Sequence, residues 1–287
     1  MHRYLAHVPR VIASIASDPT EACFTLRTKL VEIVERQRPR FPYVPDPDWE
    51  RRLHEWLGLT YPVGPASEFR ALWPTIIAEL RSRGLQLGPA SFGIWNDGDP
   101  EFLRAIWCLA RHLRPMNVVE TGVARGLTSR VILEALERNG QGHLWSIDRP
   151  PALAPELRDE IGIAVGSNLR PRWTYIRGSS RRRLPALLKR LGRIDLFIHD
   201  SMHTTDNVCF ELSHAWSALQ SGGALVADDI DLNWGFHDFT QTLCDGHSLI
   251  CQSKPLTPDP RRFDGKGSFG IAERHGPGMN PRCPAWT

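Results

Sequence analysis

The sequence predicts an α/β fold in which a doubly wound, mostly parallel sheet follows an N-terminal helical extension. Two observations carry this prediction. From about residue 100 onwards, short apolar runs alternate with segments of helical periodicity, at the spacing of βαβ units. The chain has 287 residues, of which 41% are hydrophobic, so a large core can be buried. We expect residues 1–95 to form the helical extension or cap, and residues 96–287 to form the domain that contains the sheet.

The N-terminal part of the chain predicts three helices. Apolar residues recur at helical spacing in residues 22–37, 49–57 and 69–85, and the three prolines of residues 41–48 break the pattern between the first two segments. No polar cluster in these segments indicates chemistry. A helical cap or a contact between copies of the chain is therefore the simpler interpretation, and a lid over the substrate is the alternative.

The second part of the chain predicts five parallel strands joined by helices. The predicted strands are residues 117–120, 143–148, 173–178, 194–200 and 223–227, and residues 249–252 and 268–273 are candidate closing strands. The predicted helices are residues 102–113, 127–138, 155–165, 184–191 and 207–219. In a sheet of this kind, ligands bind beyond the carboxyl ends of the strands. The functional residues are therefore expected directly after the strands.

Composition and charge narrow the class of protein. A net charge of +3 does not favour a nucleic-acid partner, which binds a basic face or stripe. The six cysteines form no Cys-x-x-Cys pair, which argues against a zinc knuckle or a redox dithiol. Free thiols in a domain of this size suit a reducing compartment. The sequence shows neither the apolar core of a secretory signal nor a membrane span, so we expect a cytoplasmic protein with no membrane partner.

The loop after the first predicted strand has the spacing Gly122-x-x-x-Gly126 and follows Glu120. This spacing differs from the Gly-x-Gly-x-x-Gly of dinucleotide folds, whose second glycine is replaced by Ala124. An acidic side chain at the strand end would repel a pyrophosphate, whereas it suits a ligand with a cationic amino group. These features disfavour a nicotinamide dehydrogenase.

The next two strand ends complete the outline of a ligand. Asp148 ends the second strand, where a carboxylate can accept both hydroxyls of a ribose. Gly178 and Ser179 follow the third strand, where an adenine edge can meet a backbone amide or a hydroxyl. An amino-acid head, a ribose and a purine across three strand ends describe S-adenosylmethionine. The predicted cofactor-binding residues are Glu120, Thr121, Gly122, Gly126, Thr128, Ser129, Asp148, Gly178, Ser179 and Asp200.

Two of these segments resemble known motifs. The stretch from Glu120 to Gly126 resembles the first motif of class I S-adenosylmethionine-dependent methyltransferases, and Ser146-Ile-Asp148 resembles the second. The resemblance covers roughly residues 100 to 255. It implies a Rossmann-like methyltransferase fold with S-adenosylmethionine as the methyl donor.

Three more acids follow the fourth and fifth predicted strands. Asp200 ends the fourth, and Asp228 and Asp229 end the fifth. If these strands are neighbours, the carboxylates converge and raise one another's pKa unless a cation compensates them. Oxygen ligands of this kind suit Mg²⁺. His203 lies three residues after Asp200 and can take a proton from a hydroxyl group that the metal acidifies.

This second constellation resembles that of metal-dependent small-molecule O-methyltransferases, especially the macrolide sugar type and the cephalosporin hydroxylase-like group. By that resemblance, Asp200, Asp228 and Asp229 are the metal ligands and His203 is the catalytic base. The macrolide type often has Glu-Asp where this chain has Asp228-Asp229. The shorter first side chain leaves the coordination number open.

The sequence therefore predicts a Mg²⁺-dependent O-methyltransferase that acts on a hydroxyl of a small molecule. A metal that holds two oxygens favours a vicinal diol, so the expected acceptor is a sugar or a glycosylated metabolite. Two alternatives stay open: a catechol or phenol acceptor, and a non-catalytic cofactor-binding protein of the same fold. The loop residues Asn233 and Trp234 are weaker candidates for contacts with the acceptor. A homo-oligomer formed through the N-terminal helices is a further open alternative.

Overall fold

A seven-stranded sheet lies at the centre of the protein and confirms the predicted fold class. The computed structural model describes residues 18–35, 37–61, 64–85, 87, 91–92, 99–149, 155–244, 246–252 and 267–274. The strands are β1 (Asn117–Thr121), β2 (His143–Asp148), β3 (Trp173–Arg177), β4 (Ile194–His199), β5 (Leu219–Ala227), β6 (Ser248–Gln252) and β7 (Ser268–Glu273). Their order is β3-β2-β1-β4-β5-β7-β6. The first five strands are parallel, and β7 is antiparallel to both β5 and β6.

Helices cover both faces of this sheet. They are α1 (Pro19–Glu35), α2 (Trp49–Trp56), α3 (Gly64–Ser82), α4 (Pro100–Leu113), α5 (Leu127–Asn139), α6 (Ser180–Leu191), α7 (Thr205–Ala218) and α8 (Gly235–Thr242). Local sequence explains where α4 begins, because the Asp99 carboxylate accepts from the Glu101 and Phe102 amides and Pro100 occupies the first helical turn. No helix in the described part of the chain has the length and hydrophobicity needed to cross a membrane.

Alternate residues of the central strands supply two separate cores. In β1, Val118 packs with α2–α5, whereas Val119 packs with α6–α8 on the other face. Leu196 and Phe197 of β4 divide in the same way. Both faces are covered, which is why these strands read as continuous apolar runs in the sequence.

The predicted division at residue 95 stays a prediction, but the described residues show how the N-terminal helices pack. Trp49 of α2 and Phe69 of α3 belong to the same apolar core as α4 and α5. The Trp49 ring also packs edge-on against Phe269 of β7, with 5.4 Å between ring centroids. Helix α1 differs, because Leu26 and Leu30 on its outer surface are 65% and 58% exposed.

Several element boundaries differ from those that the sequence predicts. Helix α3 begins at Gly64 and carries Pro74 in its interior, whereas the pattern predicted a start at residue 69. Residues 155–165, predicted as a helix, form a short 3-10 helix over Pro155–Glu160 followed by turns. Helix α8 begins directly after Asn233 and Trp234, in a segment where the sequence predicts no helix. Its Phe236 and Phe239 are buried in the second core, and this packing rather than helix propensity explains the helix.

Candidate active site

The carboxyl ends of the parallel strands are held level with one another by backbone hydrogen bonds that continue one residue past each strand. The Gly122 amide donates to the Ile147 carbonyl, and the Asp200 amide donates to the Thr121 carbonyl. The Asp228 amide donates to the His199 carbonyl in the same way. We call this side of the sheet the carboxyl edge. It brings the predicted cofactor loop and the predicted acids onto one surface, as the sequence analysis required.

Two glycines allow the first loop to pack closely at this edge. Gly122 has a φ of +89°, and a Cβ atom there would lie 1.8 Å from the carbonyl oxygen of Asp200. Gly126 has a φ of +80°, and a Cβ atom there would lie 2.9 Å from the Cα atom of Gly162. Both positions combine left-handed backbone with close backbone approach, so no other residue type fits without movement. The predicted spacing thus has a steric basis, and Thr128 is buried in the first turn of the helix that follows.

Asp148 joins the end of β2 to this loop. Its Oδ2 atom accepts from the Val123 and Ala124 amides at 3.1 and 3.0 Å, and its Oδ1 atom accepts from the Arg149 amide at 2.6 Å. Burial raises the pKa of the carboxyl group, and the three amides act against that rise. A carboxylate oxygen has more than one acceptor site, so these bonds are compatible with the predicted contact to a ribose, which stays a prediction.

Glu120 lies beneath the loop and is fully buried. Its Oε2 atom accepts from the hydroxyls of Ser129 and Ser146, both at 2.6 Å, and Trp173 Nε1 donates to the Ser146 hydroxyl. Its Oε1 atom has no hydrogen-bond partner within the described residues. Burial raises the pKa of Glu120 to about 7, although the two serines act against it. Glu120 and Ser129 therefore bind each other, and their predicted contacts with a cofactor stay predictions.

The buried Glu120 carboxyl makes the stability of the fold depend on pH. Its pKa is about 7 in the folded protein against an ordinary value of 4.5, so its stabilising contribution is complete below pH 4.5 and is lost as pH rises through 7. Glu120→Gln removes this dependence. We compare the free energy of unfolding of the Glu120→Gln protein with that of the native protein. We expect this difference to increase in favour of the variant by on the order of 3 kcal/mol between pH 5 and pH 8.

Urea unfolding at several pH values would measure this difference. Glu137→Gln is a suitable control, because Glu137 is an exposed residue of the same region that pairs with Arg172. A Glu120→Gln difference that is flat across this pH range would contradict the prediction.

Thr121 does not face the loop but joins a buried network that the sequence analysis missed. Its hydroxyl donates to Glu211 Oε2, and the same oxygen lies 2.6 Å from His199 Nδ1. Glu211 and His199 are both fully buried. A signal was present in the sequence, because Glu211 falls on the apolar face of α7 between Val208 and Leu212. An acid on such a face needs buried partners.

His203 lies between two of the predicted acids. Its Nε2 atom is 3.9 Å from Asp200 Oδ1 and 3.7 Å from Asp229 Oδ2, and all three side chains are mostly shielded from solvent. Asp229 has a φ of +50° and directly precedes a 3-10 turn that begins at Ile230. Asp228 lies at the end of β5 and is half-buried. Two of the three acids therefore converge on one imidazole at the carboxyl edge.

The donor atoms at this edge suit Mg²⁺ in kind, because Asp200, Asp228 and Asp229 offer hard carboxylate oxygens. Their spacing does not form a ready cage: among the residues described, no group of three or more His, Cys, Asp or Glu side chains is arranged to hold a metal ion. The predicted metal site thus fits in donor chemistry and is not preformed in geometry.

Helix α1 lies across the part of the edge that was predicted to hold the nucleoside. The Glu21 carboxylate accepts from the backbone amide and the hydroxyl of Ser179, at 2.9 and 3.0 Å. Arg149, which follows Asp148, donates to the Glu21 carbonyl oxygen at 3.1 Å. Gly178 precedes this contact, and its amide continues the β2 ladder to the Asp148 carbonyl.

The other end of α1 is tied to the start of α7. Both carboxylate oxygens of Glu35 accept from the Thr205 amide at 2.9 Å, and Arg27 pairs with Asp206 at 3.2 Å. Asp18 pairs with Arg182 of α6 at 2.6 Å. The helix therefore spans the edge from the β2–β3 side to the loop that carries His203. A lid over the substrate stays an alternative interpretation of these residues.

Because Glu21 occupies the hydrogen-bonding groups of Ser179, it is expected to compete with an adenine there. Glu21→Ala should tighten the binding of S-adenosylhomocysteine about 3- to 10-fold, the equivalent of one weak charge-assisted hydrogen bond. Isothermal titration calorimetry measures this directly. Arg27→Ala is the control on the same helix, because its ion pair with Asp206 is exposed and should leave the affinity unchanged. Weaker binding by Glu21→Ala would show instead that α1 helps to hold the nucleoside.

An aromatic wall stands beside the His203 loop. Phe41 packs against Trp234 and His237, with ring centroids 5.0 and 4.2 Å apart, and against Tyr43 at 4.6 Å. Trp234 Nε1 donates to the Pro39 carbonyl at 2.9 Å. Trp234 also lines an open cleft of about 220 Å³ together with Arg38, Pro39 and Asp238.

Asn233, the other weak candidate for an acceptor contact, is almost fully buried. Its Oδ1 atom accepts from the Gly235 amide, and its side-chain nitrogen donates to the His203 carbonyl at 3.4 Å. Asn233 therefore braces the two loops against each other, while Trp234 keeps a surface toward the cleft.

Comparison with known proteins now identifies the domain. Residues 119–230 match a family model described as a methyltransferase domain. Residues 119–230 carry a methyltransferase domain. The match runs from β1 to the turn after β5, and it includes the glycine loop, Asp148, Asp200, His203 and Asp229.

Solved structures similar to this methyltransferase chain include three O-methyltransferases. A putative O-methyltransferase from Klebsiella pneumoniae is 16% identical, with a TM-score of 0.48 over 75% of this chain and 92% of that chain. TomG from Streptomyces achromogenes, solved with S-adenosylmethionine and involved in tomaymycin synthesis, is 17% identical, with a TM-score of 0.48 over 71% and 89%. An O-methyltransferase from Bacillus cereus in complex with S-adenosylhomocysteine is 14% identical, with a TM-score of 0.47 over 77% and 96%. No curated protein matches the sequence.

Proposed function

We propose that the protein is an O-methyltransferase that transfers the methyl group of S-adenosylmethionine to a hydroxyl of a small molecule, with His203 as the base. The observation that carries this proposal is the position of His203 Nε2 between Asp200 Oδ1 and Asp229 Oδ2 at the carboxyl edge of the methyltransferase domain. An imidazole between two carboxylates is well placed to gain a proton, because both charges stabilise the imidazolium that forms.

In the proposed step, the acceptor O–H bond breaks and its proton passes to His203 Nε2. The oxygen lone pair forms a bond to the methyl carbon, and the carbon–sulfur bond breaks with its electron pair staying on sulfur. The products are the methyl ether and neutral S-adenosylhomocysteine. Asp200 and Asp229 keep the imidazole oriented, and alignment of the acceptor with the sulfonium supplies much of the acceleration.

A divalent cation is part of the proposal. Asp200, Asp228 and Asp229 are the residues that would hold Mg²⁺, and the ion would supply Lewis acidity toward the acceptor hydroxyl when bound. The oxygen-only donor set supports Mg²⁺ over zinc, which prefers nitrogen and sulfur ligands.

The proposed acceptor is a sugar or a glycosylated metabolite with neighbouring hydroxyls. The aromatic wall of Phe41, Trp234 and His237 also favours a second candidate, a catechol or another phenol, whose flat ring would pack against it. Cys108 and Cys251 are free and buried, which supports the proposal that the protein works in the reducing cytoplasm without a nucleic-acid or membrane partner. A homo-oligomer through the N-terminal helices belongs to the same proposal.

A screen of sugar and phenolic acceptors with radiolabelled S-adenosylmethionine, run with Mg²⁺ and with a chelator, tests the function. We expect transfer to at least one hydroxyl compound and loss of transfer with the chelator. Transfer that survives the chelator would remove the metal from the proposal and leave His203 in place. Binding of S-adenosylhomocysteine without transfer to any acceptor in the screen would favour the non-catalytic alternative.

A further inference from the structure

Glu211 connects the ends of β1 and β4 with the candidate catalytic loop and the start of α7. We propose that Glu211 is a positioning residue that holds residues 200–204, and with them Asp200 and His203, in their working arrangement. This inference rests on the proposed function for its catalytic meaning. Its structural part, the control of the loop by one buried carboxylate, stands on contacts that are independent of any acceptor.

The Glu211 carboxylate accepts hydrogen bonds from four different side chains. Oε2 is bonded to Thr121 at the end of β1 and to His199 at the end of β4. Oε1 accepts from the Ser201 hydroxyl at 2.7 Å and from Asn207 Nδ2 at 2.9 Å. One fully buried side chain of α7 thus fixes the ends of β1 and β4, the loop that joins β4 to α7, and the start of its own helix.

Hydrogen bonds hold the loop at positions next to Asp200 and next to His203. Ser201 directly follows Asp200, and Asn207 Nδ2 also donates to the Met202 carbonyl at 3.2 Å, next to His203. The Thr204 hydroxyl caps α7 by accepting from the Asn207 amide. Residues 201, 202 and 204 are therefore tied down, so the backbone that carries Asp200 and His203 has little freedom.

The Glu211 network also contacts the candidate base, His203, through the ring of His199. The ring of His199 packs edge-on against the ring of His203, with 5.4 Å between centroids and an angle of 81°. Glu211 sets the orientation of the His199 ring through Nδ1. The His203 imidazole thus contacts the two acids through Nε2 and packs against a second ring whose orientation Glu211 fixes.

The arrangement needs a carboxylate rather than any polar group. Burial alone would raise the pKa of Glu211, but the His199 imidazole and the hydrogen bonds hold that pKa at about 2, so the group accepts on both oxygens at neutral pH. Glutamine has nearly the same shape but presents an N–H group to two of the four donors. At least one buried contact must then break, and the loop loses part of its support.

Two variants test the role of Glu211. One changes the buried carboxylate itself, and the other removes one of its hydrogen-bond partners. Glu211→Gln should lower turnover about 10- to 100-fold, because a displacement of about 1 Å at a catalytic group has effects of this size. Ser201→Ala removes one link without opening the core and should lower turnover about 3- to 10-fold. We expect the Michaelis constants for both substrates to stay within about twofold, because Ser201 and Glu211 are not among the residues predicted to bind either substrate.

Two further readouts separate positioning from a general loss of stability. The double variant Ser201→Ala/Glu211→Gln should be no slower than Glu211→Gln alone, because both substitutions break the same connection. Hydrogen–deuterium exchange of a peptide that spans residues 200–206 should be faster in both single variants. The control is Asn139→Ala, which breaks a comparably buried hydrogen bond to the Ala110 carbonyl at the opposite end of α5 and should change neither readout.

The outcomes distinguish this inference from the proposed function. In one outcome, the native protein methylates no acceptor while the loop still exchanges faster in the variants. That outcome would support the structural role of Glu211 and would contradict the proposed catalytic function. An unchanged loop exchange in Glu211→Gln, or additive effects in the double variant, would overturn the inference while native turnover could stand. If Glu211→Gln does not fold, Ser201→Ala decides: native turnover and native loop exchange in that variant would overturn the inference.

Discussion

His203→Ala is expected to lower methyl transfer about 100- to 10,000-fold, the usual contribution of a positioned general base. The affinity for S-adenosylhomocysteine should stay within about twofold, because the substitution removes the base and leaves the glycine loop and Asp148 intact. The reason lies in the position of His203 Nε2, which is 3.9 Å from Asp200 Oδ1 and 3.7 Å from Asp229 Oδ2.

The experiment combines single-turnover kinetics with calorimetry. Imidazole added to His203→Ala should restore part of the rate, because a small base can occupy the space that the ring leaves. His214→Ala is the matched control, since this histidine of α7 packs against Phe210 and bonds to its carbonyl away from the edge. A His203→Ala protein with native turnover would exclude the base and leave the methyltransferase domain without an assigned proton acceptor.

Gly122→Ala is expected to destabilise the protein by about 2 to 5 kcal/mol, as the sum of an unfavourable positive φ and overpacking against backbone. The new Cβ atom would lie 1.8 Å from the Asp200 carbonyl oxygen and 2.5 Å from its carbon. Neither atom belongs to a flexible side chain, so either the glycine loop or the Asp200 backbone must move.

Gly140→Ala provides the comparison that isolates the close approach. Gly140 also has a positive φ, +72°, but a Cβ atom there would have no neighbour within 4 Å. It should cost only about 1 kcal/mol. Urea unfolding measures how much free energy of unfolding each variant loses. Equal losses would show that the close approach of Gly122 to Asp200 does not add to the cost of the substitution. If Gly122→Ala folds, its methyl transfer should also fall, because Asp200 is displaced.

The sequence predicted the sheet well because its signals are local and repeated. The predicted bounds of β2 and β7 are the same as those in the structure, His143–Asp148 and Ser268–Glu273. The glycine spacing and the acids after β4 and β5 could also be predicted, since parallel strands bring their carboxyl ends to one edge. Helix α8 could not, because two phenylalanines that insert into the second core decide its conformation.

The sequence predicted which residues lie at the site better than it predicted the contacts between them. The pattern indicated Asp200, His203 and Asp229 at one edge, and the structure brings these three side chains together. It did not indicate that Thr121 turns toward α7, because strand alternation gives a face but not a partner. Nor could it indicate the Glu21–Ser179 contact, which joins residues 158 positions apart and depends on where α1 docks.

Helix α1 is fastened to the carboxyl edge largely by ionised side chains, including Asp18 and Glu21, which both pair with Arg182. Attractions between partly exposed charges weaken with ionic strength, and the screening length is about 8 Å at 0.15 M salt. A product that leaves past this helix would escape faster in moderate salt. Wherever product escape limits the rate, saturated turnover would therefore rise with added salt, although simple attraction between enzyme and substrate would predict a fall.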